Sequence, residues 1–193
     1  MKKPYSLIKR AAWLLLPLCM SVAYTAQADN DMFLEFPSSS TIQGESQHSV
    51  YRDHIEVLKF SEGMTSTFAD DYQSGGGKTN RNALAVTKYL DRSSPELRKA
   101  LVEGRMLYDA ILRVVRPSGN PDGGDAYFVI KLEQVRVTKV SMSASGGEDR
   151  LTEEVELTFA KITWTYTPWD ANGKPGNAEK AGWDFQRNQS YDR

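Results

Sequence analysis

The chain has 193 residues, with 24 Lys and Arg against 25 Asp and Glu, and 40% of its residues are hydrophobic. Near-neutral charge without clustered cations argues against a binder of phosphate backbones, so nucleic acid is excluded as a partner. The single cysteine, Cys19, excludes an internal disulfide and a thiolate metal cluster.

Lys2, Lys3, Lys9 and Arg10 precede an apolar run over residues 11–20, and Ala26-Gln27-Ala28 follows. That is the layout of a secretory signal peptide, residues 1–28, cleaved after Ala28. The apolar run is about ten residues, too short to cross roughly 30 Å of hydrocarbon as a stable helix, so residues 1–28 are set apart from the fold, and the mature chain is expected not to insert in a membrane. Lipid attachment at Cys19 is disfavoured by the bulky Leu18 before it. Cleavage leaves residues 29–193 as a single domain with 20 cations against 25 anions. A chain of that size buries one core, and without cysteine its stability must come from packing or assembly.

Residues 32–36 (MFLEF) read as a first strand. The Ser-, Gln- and Gly-rich stretch 37–53 follows, too polar and irregular for an element and long enough to have a task. Residues 54–65 form a strand whose phase slips, because Ile55 and Val57 precede Leu58 and Phe60. A mobile loop is expected over 70–82, where Gly75, Gly76 and Gly77 free the backbone, and a strand over 83–90. The spacing predicts one helix over 95–103, with Ser94 as N-cap, Pro95 at the first position and Gly104 beyond the last turn. Leu97, Leu101 and Ala100 would face the core.

Residues 105–115 put Met106, Tyr108, Ala110, Leu112 and Val114 on one face, and pair through a turn with 126–132 as a hairpin. Residues 135–142 slip phase near Thr138 and Lys139. A long strand pattern follows the acidic turn at 146–150. Its apolar residues fall first at Val155, Leu157 and Phe159, then at Ile162, Trp164 and Tyr166, a slip near Ala160 that predicts a β-bulge. Residues 168–182 should loop before a last strand over 183–187. The fold class expected is mainly β: a strongly curved antiparallel barrel or two-sheet domain with one short α-helix and an extended loop.

Few chemical sites survive inspection. Gly75-Gly76-Gly77-Lys78-Thr79 lacks the earlier glycine of a phosphate loop, with Tyr72 in its place. His48 and His54 are too few to bind zinc and read as exposed. No Gly-x-Ser-x-Gly elbow marks a nucleophile. Glu153, Glu154 and Glu156 could suggest an acid/base pair, but Glu154 and Glu156 share one strand face opposite Val155 and Leu157, which reads as a solvated or interface face. Asp170-Ala171-Asn172-Gly173 reads as a tight turn rather than a calcium loop. Trp164, Trp169 and Trp183 read as core or subunit-contact residues. No cofactor, metal or catalytic residue is expected.

The long pattern 146–169 (GGEDRLTEEVELTFAKITWTYTPW) resembles the haemolysin-coregulated protein (Hcp) family, whose members are tube subunits of the bacterial type VI secretion system. The likeness extends to MFLEF at 32–36, QGES at 43–46, HIEVLKFSEGM at 54–64, VTKYLDRSSPEL at 86–97, residues 130–140 and AGWDFQRN at 181–188. Together these segments cover nearly all of residues 31–190 in the family's order.

The resemblance implies a homohexamer whose rings stack into a tube, with spike, sheath and effector proteins as partners and no enzymatic activity. By that analogy Gln43, Gly44, Glu45, Ser46 and Tyr51 belong to the ring-stacking loop. Glu148, Asp149 and Arg150 belong to the facing turn, and Ser61 and Glu62 to the lumen where cargo sits. The implied destination is secreted and extracellular, whereas a used signal peptide leads to the periplasm. Translation starting at Met32 would remove that conflict. The other open reading is an exported variant of the fold acting as a periplasmic or extracellular binding protein.

Overall fold

The computed structural model describes residues 30–67, 78–116, 124–144 and 149–191. The expected signal peptide, Gly75 to Gly77, most of the turn at 117–125 and Glu148 lie outside the described residues.

In chain order the described strands are β1 (Asp31–Glu35), β2 (Ile55–Ser61), β3 (Met64–Thr67), β4 (Lys78–Arg81), β5 (Leu84–Tyr89) and β6 (Tyr108–Val115). Then come β7 (Ala126–Ser143), β8 (Thr152–Thr158), β9 (Lys161–Tyr166), β10 (Glu179–Asp184) and β11 (Gln189–Ser190). One helix, α1 (Ser94–Glu103), lies between β5 and β6.

Six of these strands close a barrel. The hydrogen-bonded order is β7-β6-β1-β2-β5-β8, and β8 pairs back onto β7. All pairings are antiparallel, and closure leaves no edge within the barrel. The core fills it with alternating apolar residues, among them Leu34, Ile55, Leu84, Leu112, Leu132 and Leu157. Two expected phase slips are bulges: β2 shifts register between Val57 and Lys59, and β7 between Val137 and Lys139.

β7 has 18 residues, roughly 60 Å if straight, and could not lie on one barrel. Its C-terminal part pairs with β8 inside the barrel, and its N-terminal part pairs with β9 outside it. The change falls at Gln134, which takes φ 57°. The long pattern after the acidic turn is therefore two strands meeting at a corner, not one strand with a bulge. Phe159 and Ala160 are both buried there, and the Ala160 N–H bonds to Glu133 O at 3.0 Å.

The helix falls where expected, with Leu97 and Ala100 buried and Leu101 partly so. Gly104 closes it at φ 62°, its N–H turned to Ala100 O and Leu101 O. The N-cap is Ser93 rather than Ser94, and it makes no side-chain cap bond. The Ser94 hydroxyl is used elsewhere: it accepts from the Asp91 N–H and donates to Glu153.

Three further expectations are corrected. Lys78–Arg81 is a strand, β4, paired with β3, where a loop was expected. Tyr108 is 64% exposed, because φ 61° and a register shift rotate it out of the inward row, and Leu107 is buried in its stead. The last long strand is β10 at Glu179–Asp184, earlier than 183–187, and it extends the outer sheet beyond β9.

Candidate functional site

Residues 37–54 form a long connection that is fastened along its return. The Gly44 N–H bonds to Asp53 O at 2.8 Å, the Ser46 N–H to His54 O at 3.1 Å and the Asp53 N–H to Ser46 O at 3.0 Å. Ile42, Gly44 and Ser46 are buried, while Gln43, Glu45 and Gln47 point outward. Only glycine fits at 44, since a Cβ there would lie 2.1 Å from His54 O. Arg92, just before α1, adds a clamp. Its guanidinium donates to Gly44 O and to the Asp53 carboxylate, and its N–H donates to Glu45 at 3.1 Å.

Tyr51 sits beneath this loop rather than on it. Its ring stacks on Phe33 at 4.7 Å and its hydroxyl donates to Gly124 O. Burial pushes the phenol above its ordinary range, against the opposing charge of Arg113. His48 and His54, read from sequence as exposed, are partly buried against the same rings. His54 also reaches Glu35 at 3.2 Å. The outermost apolar side chain of the loop is Val50, 55% exposed, which sequence reasoning did not single out.

Of the facing turn, Asp149 and Arg150 are described and exposed. Arg150 lies over the Tyr89 ring at 4.2 Å. Glu45 of the loop and Arg150 of the turn line one small cleft with Glu56, Tyr89 and Asp91, so the structure brings the two segments together on the same side of the domain.

Ser61 is exposed at the end of β2, in a row that crosses four strands: Ser61, Ala85, Glu156, Lys139. The next row on that face is Lys59, Thr87, Glu154, Ser141. Lys139 bridges Glu154 at 2.6 Å and Glu156 at 2.9 Å, and these bonds raise its ammonium above the usual lysine range. Apart from Ala85 these two rows are polar, as alternation on β8 suggested for Glu154 and Glu156, and Leu58, 42% exposed at the β2 bulge, and Tyr89 border them. Glu62, one residue beyond β2, is partly buried. Desolvation raises its carboxyl above the usual range, against a hydrogen bond from the Trp164 side chain.

Glu153 lies on the other face of β8 from Glu154 and Glu156, in the buried row with Val155 and Leu157. It points inward with its carboxylate on Lys88 at 3.0 Å, and neither side chain is exposed. Lys88 also donates to Asp91 at 2.7 Å, to Ser94 at 3.2 Å and to Tyr89 O, while Arg98 lies 2.7 Å from the other Glu153 oxygen. The network ties α1 to the barrel wall. Ser94, Lys88 and Glu153 are the parts of an acyl-transfer site, but Ser94 is 1% exposed, which leaves no access for a substrate. Among the described residues no three His, Cys, Asp or Glu side chains cluster as a metal site.

Lys78 and Thr79 lie in a strand, where a phosphate loop would lead into a helix. Asp170 accepts from the Asn172 and Lys174 N–H groups, and Gly173 takes φ 76°, which is the expected tight turn. Trp164 and Trp183 pack against the core, and Arg116 lies 5.6 Å from the Trp169 ring.

Residues 33–166 match the family model described as type VI secretion system effector, Hcp. Over 161 residues the chain is 37% identical to the protein hcp1 of Pseudomonas aeruginosa, covering 82% of this chain and 96% of that protein. Its fold is similar to a solved type six secretion system protein, with TM-score 0.75 and 28% identity over 84% of this chain and all of the other. It is also similar to crystalline Hcp1 from Salmonella typhimurium, with TM-score 0.67 and 28% identity over 84% of this chain and 99% of that one.

Proposed function

Because this chain belongs to the Hcp family of type VI secretion proteins, a structural and not an enzymatic family, we propose that it is a tube subunit. Six copies form a ring, rings stack, and effector proteins ride in the lumen. Spike and sheath proteins are the remaining partners, and the assembly acts without catalysis or cofactor.

The observation that carries this reading is the outer face of β2, β5, β8 and β7. Any barrel in water turns polar residues outward, and in a ring of such barrels this four-stranded face is the one proposed to wall the aqueous channel. Ser61, Lys59, Lys139, Glu154 and Glu156 supply it with both signs of charge, suited to contacts that hold cargo without trapping it. Glu62 lies at its border. Gln43, Glu45 and Val50 of the fastened loop are the proposed contacts between rings, and Asp149 and Arg150 of the turn, on the same side of the domain, flank them there rather than facing them from the opposite end. Glu148 belongs to that turn by sequence. Tyr51, Gly44 and Ser46 hold the loop in place.

Secretion through the apparatus puts the product outside the cell. The signal-peptide layout of residues 1–28 favours a second reading, an exported binding protein in the periplasm. Light scattering on residues 29–193, with negative-stain images of the same sample, separates the two. A six-fold ring supports the tube subunit, and a monomer at high concentration overturns it in favour of the binding protein.

A further inference from the structure

His48 stands at the base of the loop in an arrangement that depends on its protonation state. Its Nδ1 accepts the N–H of Val50 at 3.2 Å and the N–H of Tyr51 at 3.3 Å. Its backbone N–H donates to the Ser46 hydroxyl at 3.2 Å. These bonds fold residues 46–51 into a tight turn with Val50 outermost. They require a lone pair on Nδ1, so the ring is the neutral tautomer with its proton on Nε2. A second proton has only Nδ1 to go to, and it abolishes both bonds at once.

His54 has the opposite character. Its Nδ1 lies 3.0 Å from Arg52 O and its Nε2 lies 3.2 Å from the Glu35 carboxylate, so both nitrogens face acceptors and the imidazolium satisfies both.

The charged groups around His48 provide for its cation. A cleft of about 460 Å³ opens beside it, lined by Asp31 of β1, Glu56 of β2, Gln47 and Leu58. Glu35 of β1 is already engaged by His54 and by Arg113 of β6, and Asp125, before β7, faces Tyr51. Arg113 lies over the far ring of Tyr51 at 6.0 Å. Among the described residues Asp31 and Glu56 are the acids that line the open side with His48, Glu56 also sharing a second cleft with Arg150, while neutral His48 is retained by the Val50 and Tyr51 N–H groups.

We infer that His48 is a pH-operated latch on the 46–51 turn: closed when neutral, open when protonated, with the chain on either side held by Gly44, Ser46 and His54. This rests on the proposed reading in one respect only: if that loop joins rings, the latch makes stacking weaken in acid.

Hydrogen exchange by mass spectrometry on the purified protein, corrected for intrinsic rates, tests it at pH 7.5 and 5.5. Protection of the peptide spanning 46–53 should fall by about tenfold in acid, while peptides of β5 and β8 do not change. His48→Asn, whose side-chain oxygen accepts the same two N–H groups without titrating, should hold protection at both pH values. His54→Gln should keep the acid response. Unchanged protection at pH 5.5, or an equal fall in His48→Asn, overturns the latch. Sedimentation of assembled protein at the same two pH values addresses the other reading. If exchange responds and the degree of stacking does not, the latch stands and the loop is not the contact between rings.

Discussion

Lys88 and Glu153 face each other across β5 and β8 at 3.0 Å, each without solvent exposure, and each is shared with α1 through Ser94. A buried pair of this kind stabilises the fold little compared with apolar residues, but losing one partner strands a charge. Lys88→Met should lower stability by about 3 to 5 kcal/mol in denaturant titration, and Lys88→Met with Glu153→Leu should recover most of it. A single substitution as mild as the double one would mean that Arg98 alone sustains Glu153.

Gly44 fastens the loop by close approach. Gly44→Ala must displace the chain from His54 O, breaking the bonds of residues 44 and 46 to 53 and 54. The barrel does not depend on them. Protease cleavage within 43–52 should accelerate by at least about tenfold, with global stability lowered by no more than roughly 1 to 3 kcal/mol.

The bulges in β2 and β7 were legible because a slip in period-two alternation has a direct backbone cause, as Val57 and Leu58 or Val137 and Lys139 demonstrate. The slip at Ala160 has the same written form, yet it marks a corner between two sheets. Only the partners, β8's on β5 and β9's on β10, distinguish the cases, and pairing is not local. Lys88 and Glu153 were illegible for the same reason: each charge reads as solvated until a partner 65 residues away is brought opposite. His48 and Tyr51 were hidden in a segment whose inward row, Ile42, Gly44, Ser46, is mostly small or polar and carries little hydrophobic signal.

Glu62 has a raised carboxyl pKa, caused first by desolvation and offset by Trp164. The folded state therefore binds this proton more tightly than the unfolded chain does. The cost is fully present above the raised folded value and is relieved as pH falls through it toward the range of an ordinary carboxyl. Glu62→Gln should stabilise the protein at pH 7, and the gain should shrink as the pH approaches that of an ordinary carboxyl. Thermal unfolding followed from pH 7 to 4.5 checks the sign, and a gain that grows in acid contradicts it.

Ser61 begins the outer row that runs through Ala85, Glu156 and Lys139. Its neighbours are short or ion-paired, so a large ring at 61 stands proud of the face without disturbing the inward residues Phe60 and Val86. Ser61→Trp should leave the mass of the proposed ring and the melting temperature unchanged. It should reduce co-purification of a carried protein by roughly fivefold or more, equivalent to about 1 kcal/mol of lost contact. Val102→Trp on the exposed flank of α1, where Val102 is 83% exposed, serves as the control and should retain cargo. Equal loss in both variants would trace the effect to surface hydrophobicity. Equal retention would remove this row from the cargo path, because no neighbour on that face could shield cargo from an indole at 61.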